Sequence, residues 1–220
     1  MHLSDFDYNL PPERIAQTPI EPRHASRLLV LDRGKPGLVH TTFWNIADFL
    51  RPGDLLVINR TRVIPARLHA RKDTGGRAEV LLLRRVDDLT WEALLGGKRM
   101  TAGRRITIED GPGAVIVADL DGPRRLLRFD EAVENSLRQA GHMPLPPYIH
   151  TPLSDPERYQ TVYAQTPGSA AAPTAGLHFT PELMARLEAM GVRFASVTLH
   201  VGLDTFAPVT EADPRTHQIH

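Results

Sequence analysis

The 220-residue sequence contains no cysteine. Disulfides, thiolate metal sites and cysteine nucleophiles are therefore excluded, which fits a reducing, cytosolic compartment. No apolar run reaches the roughly 18 residues of a membrane span. Met1-His2-Leu3-Ser4-Asp5 places no basic stretch ahead of an apolar core, so no secretory signal is read there. A soluble, cytoplasmic chain without a membrane partner is expected. Neither Gly-x-Gly-x-x-Gly nor Gly-x-x-x-x-Gly-Lys-Ser/Thr occurs, and the Gly-x-Ser-x-Gly elbow of hydrolases is missing as well. Histidines spaced as on a zinc helix are also lacking. The nearest pair, His217 and His220 behind Arg215, has no further clustered ligand, so no metal is expected.

What is present is ordinary in bulk and uneven in detail. Hydrophobic residues at 41% and charged residues at 24% are those of a globular protein of one or two domains. Gly (16) and Pro (19) together exceed average usage, which argues against a helical bundle and for turns and short strands. Net charge is zero, yet residues 1–59 carry −1, 60–105 carry +7 and 106–220 carry −6. The basic block holds ten Arg and two Lys. Arg suits bidentate phosphate contacts, so a phosphate-binding face is one reading. A solvated face offset by the acidic segment folded against it is the other.

Ser26–Asp32 and Leu55–Ile58 read as buried strands, and Phe43–Leu50 has the apolar spacing of an amphipathic helix. From Ala66 to Phe129 six strands recur at short intervals, with turns at Thr74-Gly75-Gly76, Asp87-Asp88, Gly96-Gly97, Gly111-Pro112-Gly113 and Asp121-Gly122-Pro123. That spacing is the signature of a small barrel or sandwich. A helix over Glu131–Ala140 is expected to end at Gly141 as a left-handed cap. Asp155 and Thr180 are read as N-caps followed by Pro, the second opening a helix over Pro181–Met190. Phe194–Val201 alternates as a strand, with Gly202–Val209 as its exit loop. The expected architecture is an α/β body, mixed and barrel-like, with an inserted all-β small barrel. Its parts are 1–64 (body), 65–141 (barrel with trailing helix) and 142–220 (body, continued).

Two segments carry candidate chemistry. Gly168–Thr180 (GSAAAPTAGLHFT) runs small residues into a helix start. Small side chains admit close backbone approach, and a helix N-terminus favours an anion. A tight packing loop explains the same residues equally well. Asn59–Arg67 (NRTRVIPAR) follows a strand, where α/β proteins place ligands, or else is a plain junction loop.

These segments together, with FDYNLPPERIAQ (6–17), SRLLVLD (26–32), LLVINRTRVIPARL (55–68), TGGRAEVLLL (74–83), PLPPYI (144–149), DPERYQTVYA (155–164) and TLHVGLDTFAPV (198–209), resemble one family nearly end to end. It is the S-adenosylmethionine:tRNA ribosyltransferase-isomerase family of queuosine biosynthesis. The resemblance implies that S-adenosylmethionine serves as ribosyl donor and tRNA as acceptor. The ribosyl group goes to the aminomethyl-deazaguanine base at the wobble position, giving epoxyqueuosine, adenine and methionine. The course begins with proton removal from the ribose carbon beside the sulfonium. On this footing His178 and His200 are the acid/base candidates. Thr174, Gly176, Thr180 and Arg62 are assigned to the cofactor pocket, and Arg67, Arg71 and Arg77 to RNA phosphates. A monomer is favoured.

Two residues depart from the family pattern. Arg60 stands where Asp is usual, and Asp204 where Gly is usual. The sequence stops at His-Gln-Ile-His, inside a segment that the resemblance leads one to expect to continue, so roughly the last third of the family's body is expected to be absent. The rival readings are a catalytically inactive, RNA-binding relative of that enzyme and a small-ligand protein with no nucleic-acid partner.

Overall fold

The computed structural model describes residues 1–202 and 209–217. Asp204, His220 and most of the expected 202–209 exit loop lie outside the described residues.

Between Arg67 and Phe129 the chain forms six antiparallel strands: β5 (Arg67–Lys72), β6 (Arg77–Arg85), β7 (Thr90–Gly96), β8 (Arg105–Ile108), β9 (Gly113–Asp119) and β10 (Arg124–Phe129). They pair in the order β5-β6-β7-β10-β9-β8, and β8 returns to β5 with Ala70 opposite Ile108, so the barrel closes. Closure removes the free edges of a sheet. Period-two alternation sends Leu68, Val80, Leu82, Ala93, Ile106, Ile116, Leu127 and Phe129 inward, all buried. Bulges at Leu82/Arg84 and Leu126/Leu127 bend the strands around the small core.

Val133, Leu137 and Ala140 join the same core from the segment after β10. The helix expected over Glu131–Ala140 is shorter than its pattern suggests. A 3-10 turn over Val133–Asn135 leads into α1 (Leu137–Ala140). Gly141 is not a left-handed cap either: its φ is −89° and it opens β11 (Gly141–His142), which pairs with β5. Glycine is needed there for space, because a Cβ would sit inside contact distance of the Pro65 and Leu137 carbonyl oxygens.

The body is built from β1 (Arg27–Val30), β2 (Val39–Thr42), β3 (Leu55–Asn59), β4 (Thr61–Val63), β12 (Thr166–Ser169), α2 (Pro181–Ala189) and β13 (Arg193–Val197). β1 and β2 form an antiparallel hairpin, while β12–β4 and β13–β3 are parallel. Parallel pairs joined through a helix support the α/β reading of this part. The barrel-like closure expected of the body is not formed among the described residues, where the two parallel pairs stay separate. Each of these pairs holds only two strands, of three to five residues, with no ladder joining one pair to the other.

Leu183 and Leu187 of α2, one turn apart, pack with Phe43, Ala47, Phe179 and Val192 into a second core. Phe43–Phe49 keeps the expected apolar spacing but winds as a 3-10 helix. The runs read as buried strands are covered on one face only. Leu29, Leu55 and Val57 are exposed, whereas Leu28 and Leu56 pack on the second core. No helix among the described residues is long and apolar enough to cross a membrane.

Candidate functional site

His178 ends the 3-10 helix Thr174–His178, just before Phe179 and the α2 cap Thr180. Its Nδ1 lies 2.9 Å from Ser26 Oγ, and Ser26 Oγ donates to the Arg23 carbonyl at 2.9 Å. A hydroxyl has one proton to give. That proton goes to the carbonyl, so His178 Nδ1–H donates to Ser26, and Nε2 keeps its lone pair with no hydrogen-bond partner among the described residues. The ring sits 5.2 Å from Phe43, centroid to centroid. Burial pushes its pKa below the usual 6.5, so the imidazole is neutral at pH 7. A neutral ring with a free Nε2 is the form a general base requires.

His200 is placed differently. Its Nδ1 is 2.8 Å from Thr61 Oγ1, and its exposed ring packs over Gly168. Gly168 has φ +139°, and a Cβ there would come within 2.8 Å of the imidazole. Among the described residues the two histidines share no hydrogen-bond partner. Gly168→Ala is expected to push the His200 ring off Thr61, seen as a shift of the His200 imidazole resonances. Unshifted resonances in a folded variant would mean that Gly168 does not set the ring's place.

Thr180 caps α2: its Oγ1 accepts from Leu183 N at 3.3 Å and lies 2.9 Å from His24 Nδ1. The Glu182 carboxylate, also in the first turn, is held below its usual pKa by a hydrogen bond to its own backbone amide and by Thr180. The start of α2 is thus supplied with acceptors from its own chain. Gly176 is buried against Tyr163, whose hydroxyl occupies the space of a Cβ, and Thr174 is exposed.

His24 was not picked out from the sequence. Its ring lies tilted at 49° against Trp44, 4.6 Å between centroids, over which Arg186 sits at 5.0 Å, and its Nδ1 reaches Thr180. Only its place two residues before Ser26 could have signalled this. Arg23 was missed as well. It donates to the carbonyls of Gln160 (2.6 Å), Glu157 (2.8 Å) and Leu177 (3.4 Å), tying the His178 helix to the Asp155-capped turn.

The arginines assigned to ligands are mostly paired. Arg62 meets Glu157, Arg67 meets Glu79, and Arg71 Nε lies 3.1 Å from Glu109. Glu109, Asp130, Glu134 and Glu157 all come from the acidic segment, so that segment does fold against part of the basic block. Arg60, Lys72, Arg77, Lys98 and Arg99 meet no carboxylate among the described residues, and Arg60, outside the barrel, donates instead to Thr198 Oγ1 at 3.0 Å. Lys72 Nζ donates to the Lys98 carbonyl at 2.8 Å, and both Lys72 and the Arg77 carbonyl approach Gly97. Lys72, Lys98 and the Arg77 backbone thus meet at one turn of the barrel, beside Gly97. No group of three or more metal-ligating side chains occurs among the described residues, and His217 Nδ1 pairs with Glu211 at 2.8 Å.

Fold and site define an α/β protein that bears a neutral, half-buried histidine on its body and a cation cluster on its closed β-barrel. Residues 3–220 match the family described as queuosine biosynthesis protein, and the chain belongs to that family. It is 55% identical over 227 residues to the S-adenosylmethionine:tRNA ribosyltransferase-isomerase of Dehalococcoides mccartyi (strain CBDB1), covering 100% of this chain and 66% of the relative. The enzyme of that name from Symbiobacterium thermophilum is 54% identical over 228 residues with the same coverage. A crystal structure of S-adenosylmethionine tRNA ribosyltransferase from Thermotoga maritima is 38% identical, covering 90% of this chain and 59% of that one, at a TM-score of 0.38. The chain thus spans about two thirds of the length of the curated relatives it matches.

Proposed function

We propose that this chain carries the base and acceptor-binding parts of an S-adenosylmethionine:tRNA ribosyltransferase-isomerase. In that reaction the donor's ribosyl group passes to the aminomethyl-deazaguanine base of tRNA, with loss of adenine and methionine. The observation that carries the reading is His178, neutral at pH 7 with Nε2 free. A proton on carbon beside a sulfonium is acidic enough for such a base, and His178 Nε2 takes it. Thr174 and Gly176, on the same 3-10 helix, border the donor. Arg62 stands on β4, opposite Pro167 and beside the Gly168 bulge of β12, as a polar anchor. His200, exposed and held by Thr61, is the second acid/base group. The inserted unit, 65–141, docks RNA.

The test is adenine release from S-adenosylmethionine in the presence of tRNA bearing the aminomethyl base. Release dependent on that tRNA is expected. A folded sample that binds the tRNA but frees no adenine would favour the second reading, an RNA-binding relative without chemistry, which the cation cluster on the barrel would also suit. Replacing Arg67, Arg71 and Arg77 together by Ala should weaken tRNA affinity more than S-adenosylmethionine affinity, and tRNA binding should weaken steeply with salt. Equal losses for both ligands would mean damage to the fold.

A further inference from the structure

The side chains of Asn59, Arg60 and Thr61 hold three successive residues of the segment that follows β13. Asn59 Nδ2 donates to the Leu199 carbonyl at 2.8 Å, and Asn59 Oδ1 accepts from Leu199 N at 3.1 Å. Arg60 Nε donates to Thr198 Oγ1 at 3.0 Å, and Thr61 Oγ1 lies 2.8 Å from His200 Nδ1. One residue further on, Ser169 Oγ accepts from Val201 N at 2.9 Å. The imidazole itself lies over Gly168, where a Cβ would collide with it. His200 is thus fixed through its chain neighbours, its Nδ1 and one ring face, while the residue stays exposed on the wall of a cavity of about 590 Å³.

Thr61 decides which nitrogen of that ring bears the hydrogen. Thr61 is 1% exposed, and His200 Nδ1 is the one hydrogen-bond partner of its hydroxyl among the described residues. If Nδ1–H donated to the hydroxyl, the hydroxyl proton would be buried without an acceptor, and buried polar groups are normally satisfied. Thr61 Oγ1–H therefore donates to Nδ1, and in the neutral imidazole the proton sits on Nε2. His178 shows the opposite arrangement: Ser26 gives its proton to a carbonyl, and the ring carries its hydrogen on Nδ1.

We propose that His200 is a fixed hydrogen-bond donor to the substrate through Nε2–H, with Thr61 as the residue that positions it. The inference rests on the reading of the chain as a ribosyl-transferring enzyme and divides the work between the two histidines. His178 Nε2 takes a proton, whereas His200 Nε2–H offers a hydrogen bond and keeps its proton. When adenine departs with the electron pair of its bond, a donor already held in place stabilises that charge without reorganisation.

Long-range proton–nitrogen correlation on the chain labelled with 15N-histidine, at a pH where both rings are neutral, reads the tautomers directly. His178→Ala and His200→Ala assign the signals. His200 is expected to carry its proton on Nε2 and His178 on Nδ1. Thr61→Val should shift the His200 nitrogens toward a mixture of tautomers, and Thr61→Ser, which keeps the hydroxyl, should restore them. In the adenine-release assay His200→Ala should lower kcat by about 10²-fold, the scale of one lost donor. His200→Gln keeps an N–H but cannot act as a base, and should lose roughly tenfold less than the alanine variant, at similar KM. His200 protonated on Nδ1, nitrogen signals unmoved in a folded Thr61→Val variant, or equal losses for Gln and Ala would overturn the inference. Adenine release with the proton on Nδ1 sinks the donor assignment alone. A Thr61-dependent Nε2–H without adenine release sinks the enzymatic reading alone.

Discussion

Replacing His178 with alanine is expected to lower turnover by about 10²-fold or more, the scale of a lost general base, with little change in donor affinity. The pH profile provides the companion measurement. Burial depresses the His178 pKa below 6.5, so the loss of activity on acidification should set in below that value. The sign for stability follows the same logic. The unfolded imidazole takes up a proton first as pH falls, so the unfolded state binds more protons in the window below 6.5 and the folded state loses stability there. Above 6.5 this contribution is complete, and His178→Ala should remove the corresponding acid sensitivity from the melting curve. A variant with unchanged turnover would take His178 out of the reaction.

Phe129→Ala is expected to destabilise the protein by about 3–5 kcal/mol, the cost of emptying a large buried aromatic site. Phe129 lies on β10 and is 2% exposed within the closed barrel, where no neighbouring strand can shift to fill the space without breaking the ring. Leu29→Ala, on the open face of β1, should stay within about 0.5 kcal/mol. Chemical denaturation of both variants checks the contrast. Equal costs would mean that the barrel does not limit stability.

That contrast marks what could be read from the residues. The six barrel strands were legible because alternation writes inside and outside into each strand, and glycine-bearing turns separate them. Leu55 and Val57 were not, since an apolar run states a preference for burial without saying whether anything lies over it. Thr180 and Asp155 announced their caps through local chemistry: each side chain accepts from an amide two or three residues on. Gly141 announced a helix end, but its role depends on Pro65, distant in sequence. His178 was visible as a candidate by family resemblance. Its tautomer was not, because the deciding bond is Ser26 to Arg23, far along the chain. The basic block illustrates the same limit: its charge was countable, but which cations keep it depended on where Glu79, Glu109 and Glu157 folded.

The close passage at Gly141 also bears on how the chain assembles. Gly141 pairs with Leu68 while lying against the Pro65 carbonyl, so the polypeptide enters and leaves the barrel at one place. Once the barrel has folded, the rest of the chain meets it as a tight turn between Ile64 and His142 instead of a long excursion. The entropy of closing that excursion is absorbed by the barrel's own local pairings, and the β4–β12 and β3–β13 ladders then form between segments already brought near each other.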